Sequence, residues 1–195
     1  VRNDKASIIN NASCTTNSTA PVIAILDEAF GVQKAMLTTV HGYTSSQNLV
    51  DGPHRSDPRR GRAAAMNIVP TSTGAAKATG LTLPKVDNKF DGISIRVPVP
   101  TVSLSDMTVL LEKDVTEEEV KKTLIAATKK ARWKGIVACS DEPLVSTDYI
   151  GDPHSATVDL DMTRVVDGNL VKVVAWYDNE WGYANRLAEM ALKIA

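Results

Sequence analysis

An α+β fold, with a mixed and largely antiparallel sheet and helices packed on one side, is the class this sequence predicts. Three observations predict it. The stretches "PVIAILDEAFG" and "VTEEEV" carry helix signatures and stand apart from several β-branched, alternating runs. Two of those runs flank an Asp-Gly-Asn turn and read as a hairpin. No GxGxxG follows a strand, so the chain shows no dinucleotide fingerprint of its own. At 195 residues the chain can bury a proper core, and it is read as one domain over 1–195.

In chain order, "ASII" reads as a strand that enters from elsewhere and delivers Cys14 at its far end. The chain opens without an initiator Met or a leader, and the expectation is a piece of something longer. The first helix spaces Val22, Ile23, Ile25, Leu26 and Phe30 on a helical period and stops at Gly31. Ser13 or Cys14 then sits at the positive end of its dipole. A strand follows from about Gln33 to Tyr43, then a long loop from about Thr44 to Met66, rich in Gly, Pro, Ser and Arg. "TSTG" before "AAKA" reads as the start of a short helical turn. Two strands, Gly92 to Val97 and Ser103 to Leu111, are separated by Pro98 and Pro100. Thr116 and Glu119 form a capping box with Val115 and Val120 as its staple, opening a helix that runs to about Ala131. "GIVAC" is a short strand, "SATVDLDMTRVVDGNLVKVVAWYDN" the hairpin, and the residues from about 181 to 195 an amphipathic helix.

The chemistry begins with a cysteine in an unusual place. Cys14 lies in "NNASCTTNSTAP", among small polar residues rather than in an apolar run. A reactive thiol needs partial exposure and a device that favours its anion, and a helix N-terminus is one. His41 ends the next strand, and successive strand ends can lie side by side, so an imidazole could draw off the thiol proton and leave a thiolate–imidazolium pair. Arg59, Arg60 and Arg62 lie in the long loop, and Arg96 interrupts the apolar "ISIRVPV". Thr73 and Gly74 offer a hydroxyl and backbone N–H groups at a helix start, an anion site that arginine forks would complete. Together these residues point to a thiol enzyme acting on a small phosphorylated substrate. A net charge of −1 argues against nucleic acid or a membrane surface as partner, and no run has the length of a transmembrane helix. Cys14 and Cys139 form no CxxC pair, and with His41, His54 and His154 as the only histidines no metal centre is expected. Free cysteines fit a reducing, cytoplasmic setting.

"ASCTTN", "HGYT", "PTSTGAAKA", "RVPVPTVS" and "WYDNEWGY", in that order, resemble the catalytic half of the glyceraldehyde-3-phosphate dehydrogenase family. The resemblance implies phosphorylating oxidation of glyceraldehyde 3-phosphate to 1,3-bisphosphoglycerate with NAD, through a thiohemiacetal and a thioester. It makes Cys14 the nucleophile and His41 the base. It assigns Ser13, Thr15, Thr44, Arg59, Thr73, Gly74 and Arg96 to two anion sites, one for inorganic phosphate and one for the substrate's own phosphate. Asn179 would orient the nicotinamide, with Tyr183 packed nearby. The loop of about residues 44–66 would be the S-loop, which in that family lines a neighbouring subunit's cofactor site, so a homotetramer is implied. Gly52 and Pro53 resemble NAD-preferring members and leave NADP open. The nucleotide-binding domain that would hold most of the cofactor is not in this chain, so turnover by the chain alone is not expected.

The departures are small. Ser18 stands where the family commonly has a second cysteine, and Ser46 where many bacterial members carry an aspartate. Arg59 is favoured over Arg62 as the loop's phosphate ligand, and Cys139, His54 and His154 receive no role. The competing readings are erythrose-4-phosphate dehydrogenase within the family, a cysteine hydrolase outside it, and an isolated module that serves in assembly without turnover.

Overall fold

The first helix, α1 (Cys14–Phe30), begins where Ser13 leaves extended backbone and accepts the Thr16 N–H on its hydroxyl. It ends at Gly31, whose φ of 74° a side chain would resist. The computed structural model describes residues 8–194. Pro21 lies inside α1 and removes one backbone donor, but Val22, Ile23 and Leu26 beside it are fully buried. Burial of that kind stabilises by roughly 1.5–3 kcal/mol per side chain, enough to hold a helix across one missing bond.

Seven strands form one sheet: β1 (Val32–Gly42), β2 (Val69–Ser72), β3 (Phe90–Val97), β4 (Ser103–Leu111), β5 (Val137–Ser140), β6 (Ala156–Val166) and β7 (Leu170–Tyr177). Their order is β2-β3-β1-β4-β7-β6-β5. The β1–β3 and β5–β6 pairs are parallel, and the other four pairings are antiparallel. Helices α2 (Ala75–Thr82) and α3 (Glu117–Thr128) join α1 on one face, and the core lies between them and inward residues such as Leu37, Met107, Val109, Val173 and Ala175. The fold is therefore the mixed, largely antiparallel α+β arrangement expected. A fourth helix, α4 (Trp181–Ile194), closes the described chain and leaves Trp181, Leu187 and Leu192 exposed.

Several elements differ from the sequence reading. β2 was not anticipated, because four residues containing Pro70 carry too little pattern; an edge strand pairing only with β3 tolerates the missing N–H. Of the strand expected at "ASII", Ile8 and Ile9 are exposed and belong to no strand, and Ala6 and Ser7 lie outside the described residues. An extended segment with no ladder to join gains nothing from being a strand. α3 stops at Thr128, three residues early, and continues as turns to Trp133. The long loop is pinned to itself as well. Asn48 and Gly52 donate backbone N–H groups to Arg60 and Gly61, and Pro58–Gly61 form a 3-10 turn. A Cβ at Gly61 would collide with the Gly52 carbonyl, so that crossing requires glycine.

The capping box of α3 is present in both directions. Glu119 N–H donates to the Thr116 hydroxyl, and the Thr116 N–H to the Glu119 carboxylate at 2.8 Å. Thr116→Ala should cost about 1 kcal/mol of stability, read as a lower denaturant midpoint at unchanged slope.

Candidate active site

Two strand-end residues and one helix start converge at one corner of the sheet. Cys14 is the first helical residue of α1, directly after the Ser13 cap, and Ala12 before it turns the chain with φ 57°. The backbone N–H groups of Cys14 and Thr15 have no acceptor within the helix and form its positive end. His41 sits on β1, in register with Arg96 on β3 at one side and Ser103 on β4 at the other; Ser103 is in turn in register with Tyr177 on β7. Arg96, His41, Ser103 and Tyr177 thus form a row across four strands and share its face.

Cys14 Sγ lies 3.5 Å from His41 Nε2. His41 Nδ1 lies 2.6 Å from the Gly42 carbonyl, which can only accept, so Nδ1 carries the proton and Nε2 turns its lone pair to the thiol. Burial pushes the Cys14 thiol up. Burial first, and the Arg96 charge second, pull His41 down to about 4. The surroundings therefore favour a neutral thiol facing a neutral imidazole, not the thiolate–imidazolium pair expected from spacing. Desolvation of both groups is the reason. With its lone pair toward the thiol, a neutral Nε2 is placed to accept the Cys14 proton.

Beside this pair stand two arginines. Arg96 Nη1 donates to the Gly42 carbonyl and to Thr44 Oγ1, both at 3.2 Å, and its buried Nε has no partner. From the long loop it is Arg60 that turns inward: Nε donates to Thr71 Oγ1 at 2.9 Å, and the same guanidinium lies 3.5 Å from Asp57. Arg60 lies close enough to Arg96 to pull its pKa down, after the larger effect of burial. Arg59 is exposed, and Arg62 is spent on Asp51. The preference for Arg59 over Arg62 therefore misses the residue the fold selects. Nothing in "PRRGR" distinguishes its arginines until the 3-10 turn orients them.

The remaining site residues divide. Thr44 touches Arg96, and the Ser13 hydroxyl is shared between the Thr16 N–H and Thr16 Oγ1. Thr73 accepts from the Ala75 N–H, and Gly74 caps α2 with open space around its Cα. The Thr15 hydroxyl is buried and bonded to Tyr177 at 2.9 Å, and both that hydroxyl and the Thr15 backbone N–H lie near enough to Cys14 Sγ to favour its anion against the larger effect of burial. Asn179 is buried, and its Oδ1 accepts from Ser103 Oγ at 2.8 Å. Ser103 Oγ already accepts from the Gly42 N–H, so it must donate to the amide oxygen, leaving Asn179 Nδ2 as a free donor. Tyr183 reaches the Ala12 carbonyl at 3.4 Å. Sequence reading missed Ser103 and Asp178, whose carboxylate caps α4 by accepting from Glu180 and Trp181 N–H groups at 2.9 Å. An Asp two residues before a helix signature was the available signal for that cap.

Comparison with known proteins is consistent across the chain. Residues 13–179 match the family model described as glyceraldehyde 3-phosphate dehydrogenase, C-terminal domain. The chain is 51% identical to glyceraldehyde-3-phosphate dehydrogenase 2 of Streptomyces avermitilis, over 96% of its own length and 56% of that protein. It is 53% identical to the glyceraldehyde-3-phosphate dehydrogenases of Mycobacterium avium and Mycolicibacterium smegmatis, over 94% of this chain and 53% of each relative. The chain thus spans about half the length of the curated relatives it matches.

The buried imidazole makes a pH prediction. His41 binds its proton near pH 6.5 when unfolded but only near 4 in the fold, so between those values the unfolded chain holds more protons. The stabilisation is complete above pH 6.5 and is lost as the pH falls toward 4, amounting to about 3 kcal/mol. Denaturant midpoints across that window should fall with pH, and His41→Asn should flatten the slope.

Proposed function

Because the chain belongs to the glyceraldehyde-3-phosphate dehydrogenase family, as its C-terminal catalytic domain, we propose that the whole protein oxidises glyceraldehyde 3-phosphate and phosphorylates the product, with NAD as acceptor. The observation that carries this reading is the Cys14–His41 contact at 3.5 Å beside two inward arginines. In the proposed reaction Cys14 Sγ adds to the aldehyde carbon. The thiol proton passes to His41 Nε2 and on to the carbonyl oxygen, giving a thiohemiacetal. The Cys14 backbone N–H, unpaired at the helix start, holds the developing negative oxygen. His41 Nε2 then takes the proton of the new hydroxyl as the aldehyde hydrogen leaves, and a thioester remains on Sγ. Inorganic phosphate attacks the thioester carbon, the acyl phosphate departs, and the released thiolate recovers a proton from His41.

Arg96 with Thr44, and Arg60 with Ser13, Thr73, Gly74 and the Thr15 N–H, form the proposed anion sites. A guanidinium fork beside free N–H donors suits a phosphate dianion. For the cofactor the residues fit: Asn179 presents a donor with no acceptor among the described residues, held in one orientation by Ser103, as a carboxamide oxygen would require. NAD supplies the hydride acceptor when bound; Asn179 and Tyr183 would hold its nicotinamide end, and most of its contacts would come from the family's other domain. The exposed Trp181, Leu187 and Leu192 of α4 offer that domain an apolar face. Leu49 and Val50 in the loop, and Met36 and Ile93 on β1 and β3, are similarly exposed and suit contacts between subunits of a homotetramer. The family likeness is the ground on which we place the protein in the cytoplasm; no described helix is long and apolar enough to cross a membrane.

The test is aldehyde-dependent NADH formation by the intact protein. Turnover should require inorganic phosphate and yield an acyl phosphate. Release of free acid without phosphate would favour a hydrolase and sink the reading, and a higher kcat/KM for erythrose 4-phosphate would move the substrate. His41→Asn should lower kcat by about 10²–10⁴-fold. Arg60→Ala should raise the KM for phosphate or aldehyde at least about tenfold, while Arg59→Ala leaves both near the parent's values.

A further inference from the structure

Among the described residues Tyr177 is the largest fully buried side chain, out of reach of bulk water. Its hydroxyl is bonded to those of Thr15 and Thr39, and the Ser103 hydroxyl also hydrogen-bonds it. Thr15 Oγ1, on the residue after Cys14, lies 2.9 Å away; Thr39 Oγ1, two residues before His41 on the same face of β1, lies 2.9 Å away on the other side. Thr15 and Thr39 are themselves buried, so the phenol bridges two hydroxyls withdrawn from bulk water. The Tyr177 ring meets the His41 ring edge-on, with centroids 6.0 Å apart and planes at 78°.

α1 and β1 touch each other sparingly, although the nucleophile candidate rides on one and the base candidate on the other. The hydroxyl chain Thr15–Tyr177–Thr39 crosses that seam immediately beneath the pair. Tyr177 itself is anchored through β7, two strands from β1, with β4 between them. We propose that Tyr177 is a positioning residue for the Cys14–His41 pair: its hydroxyl ties the first turn of α1 to β1, and its ring edge holds the imidazole against rotation. The proposal rests on the reading of Cys14 as nucleophile and His41 as its base.

A purely structural tyrosine would also be buried here, so the test needs a readout beyond stability. In the intact protein, the alkylation rate of Cys14 by iodoacetamide is followed against pH by peptide mass spectrometry. Cys139, half-buried with its thiol pushed up to about 11, serves as internal reference. The charged and titratable groups around Cys14 are His41 on β1, Arg96 on β3 and Tyr177 on β7, and the first two are left untouched. Tyr177→Phe keeps the ring and removes the pin, and should slow Cys14 about tenfold relative to Cys139 across the pH range. Thr39→Val should do the same, and Thr39→Ser, which keeps the hydroxyl, should retain the parental rate.

Tyr177→Phe within twofold of the parent at every pH would overturn the proposal. So would equal changes at Cys14 and Cys139, which mark general loosening. Should Tyr177→Phe fail to fold, the Thr39 variants decide, and equal rates for Val and Ser sink the pin. Those results leave the proposed function standing as long as His41→Asn slows Cys14 in the otherwise parental protein. A parental Cys14 rate left unchanged by His41→Asn overturns the functional reading and the pin together.

Discussion

A sulfur on the first turn of a helix and an imidazole at the end of a strand can stay 3.5 Å apart only if helix and strand are fixed end against end. Most of the surrounding structure serves that constraint. Ser13 caps α1 so that Cys14 is the first helical residue, and Gly31 with the apolar residues around Pro21 seats the far end of the helix on the sheet. On the strand side, the parallel pairing of β1 with β3 and its antiparallel pairing with β4 leave His41 no freedom of register. A slip of one residue would turn it to the other face. The Gly42 carbonyl then selects the tautomer.

Burial sets the electrostatic character of the corner. A thiol and an imidazole both withdrawn from water resist charge, and Arg96 beside them adds a cation that opposes an imidazolium while favouring a thiolate. The Arg60–Arg96 neighbourhood is costly for the empty protein and favourable for an anion, since no ion pair to Arg96 forms among the described residues. The loop that delivers Arg60 bonds to itself, to Thr71 and to Asp57, which keeps a charged side chain aimed inward from an otherwise exposed segment. Site and fold are coupled at the same bonds: Gly42 serves both His41 and Arg96, and Ser103 serves both Gly42 and Asn179.

Much of this was legible beforehand where the signal is local. The α1 boundary at Gly31, the capping box at Thr116, the hairpin turn at Asp167 and Gly168, and the strand ending at Leu111 each follow from a few adjacent residues. The polar setting of Cys14 and the strand-end place of His41 were likewise readable, and the family motifs singled out the same two residues. Legibility failed where the deciding partner is distant. β2 exists because β3 offers an edge, Ile8 and Ile9 join no strand because no edge meets them, and Thr15 turns inward because Tyr177 waits for it, far along the chain.

The sequence alone determined the class of fold, most of its elements, the candidate thiol and the family, because periodicity, caps and motifs are properties of neighbouring residues. Only the tertiary structure decided that Arg60 rather than Arg59 faces Arg96, that Ser103 orients Asn179, and that the thiol and imidazole rest uncharged. Each of those depends on which groups are brought together and how much water is expelled between them, and neither quantity is written in any short stretch of chain.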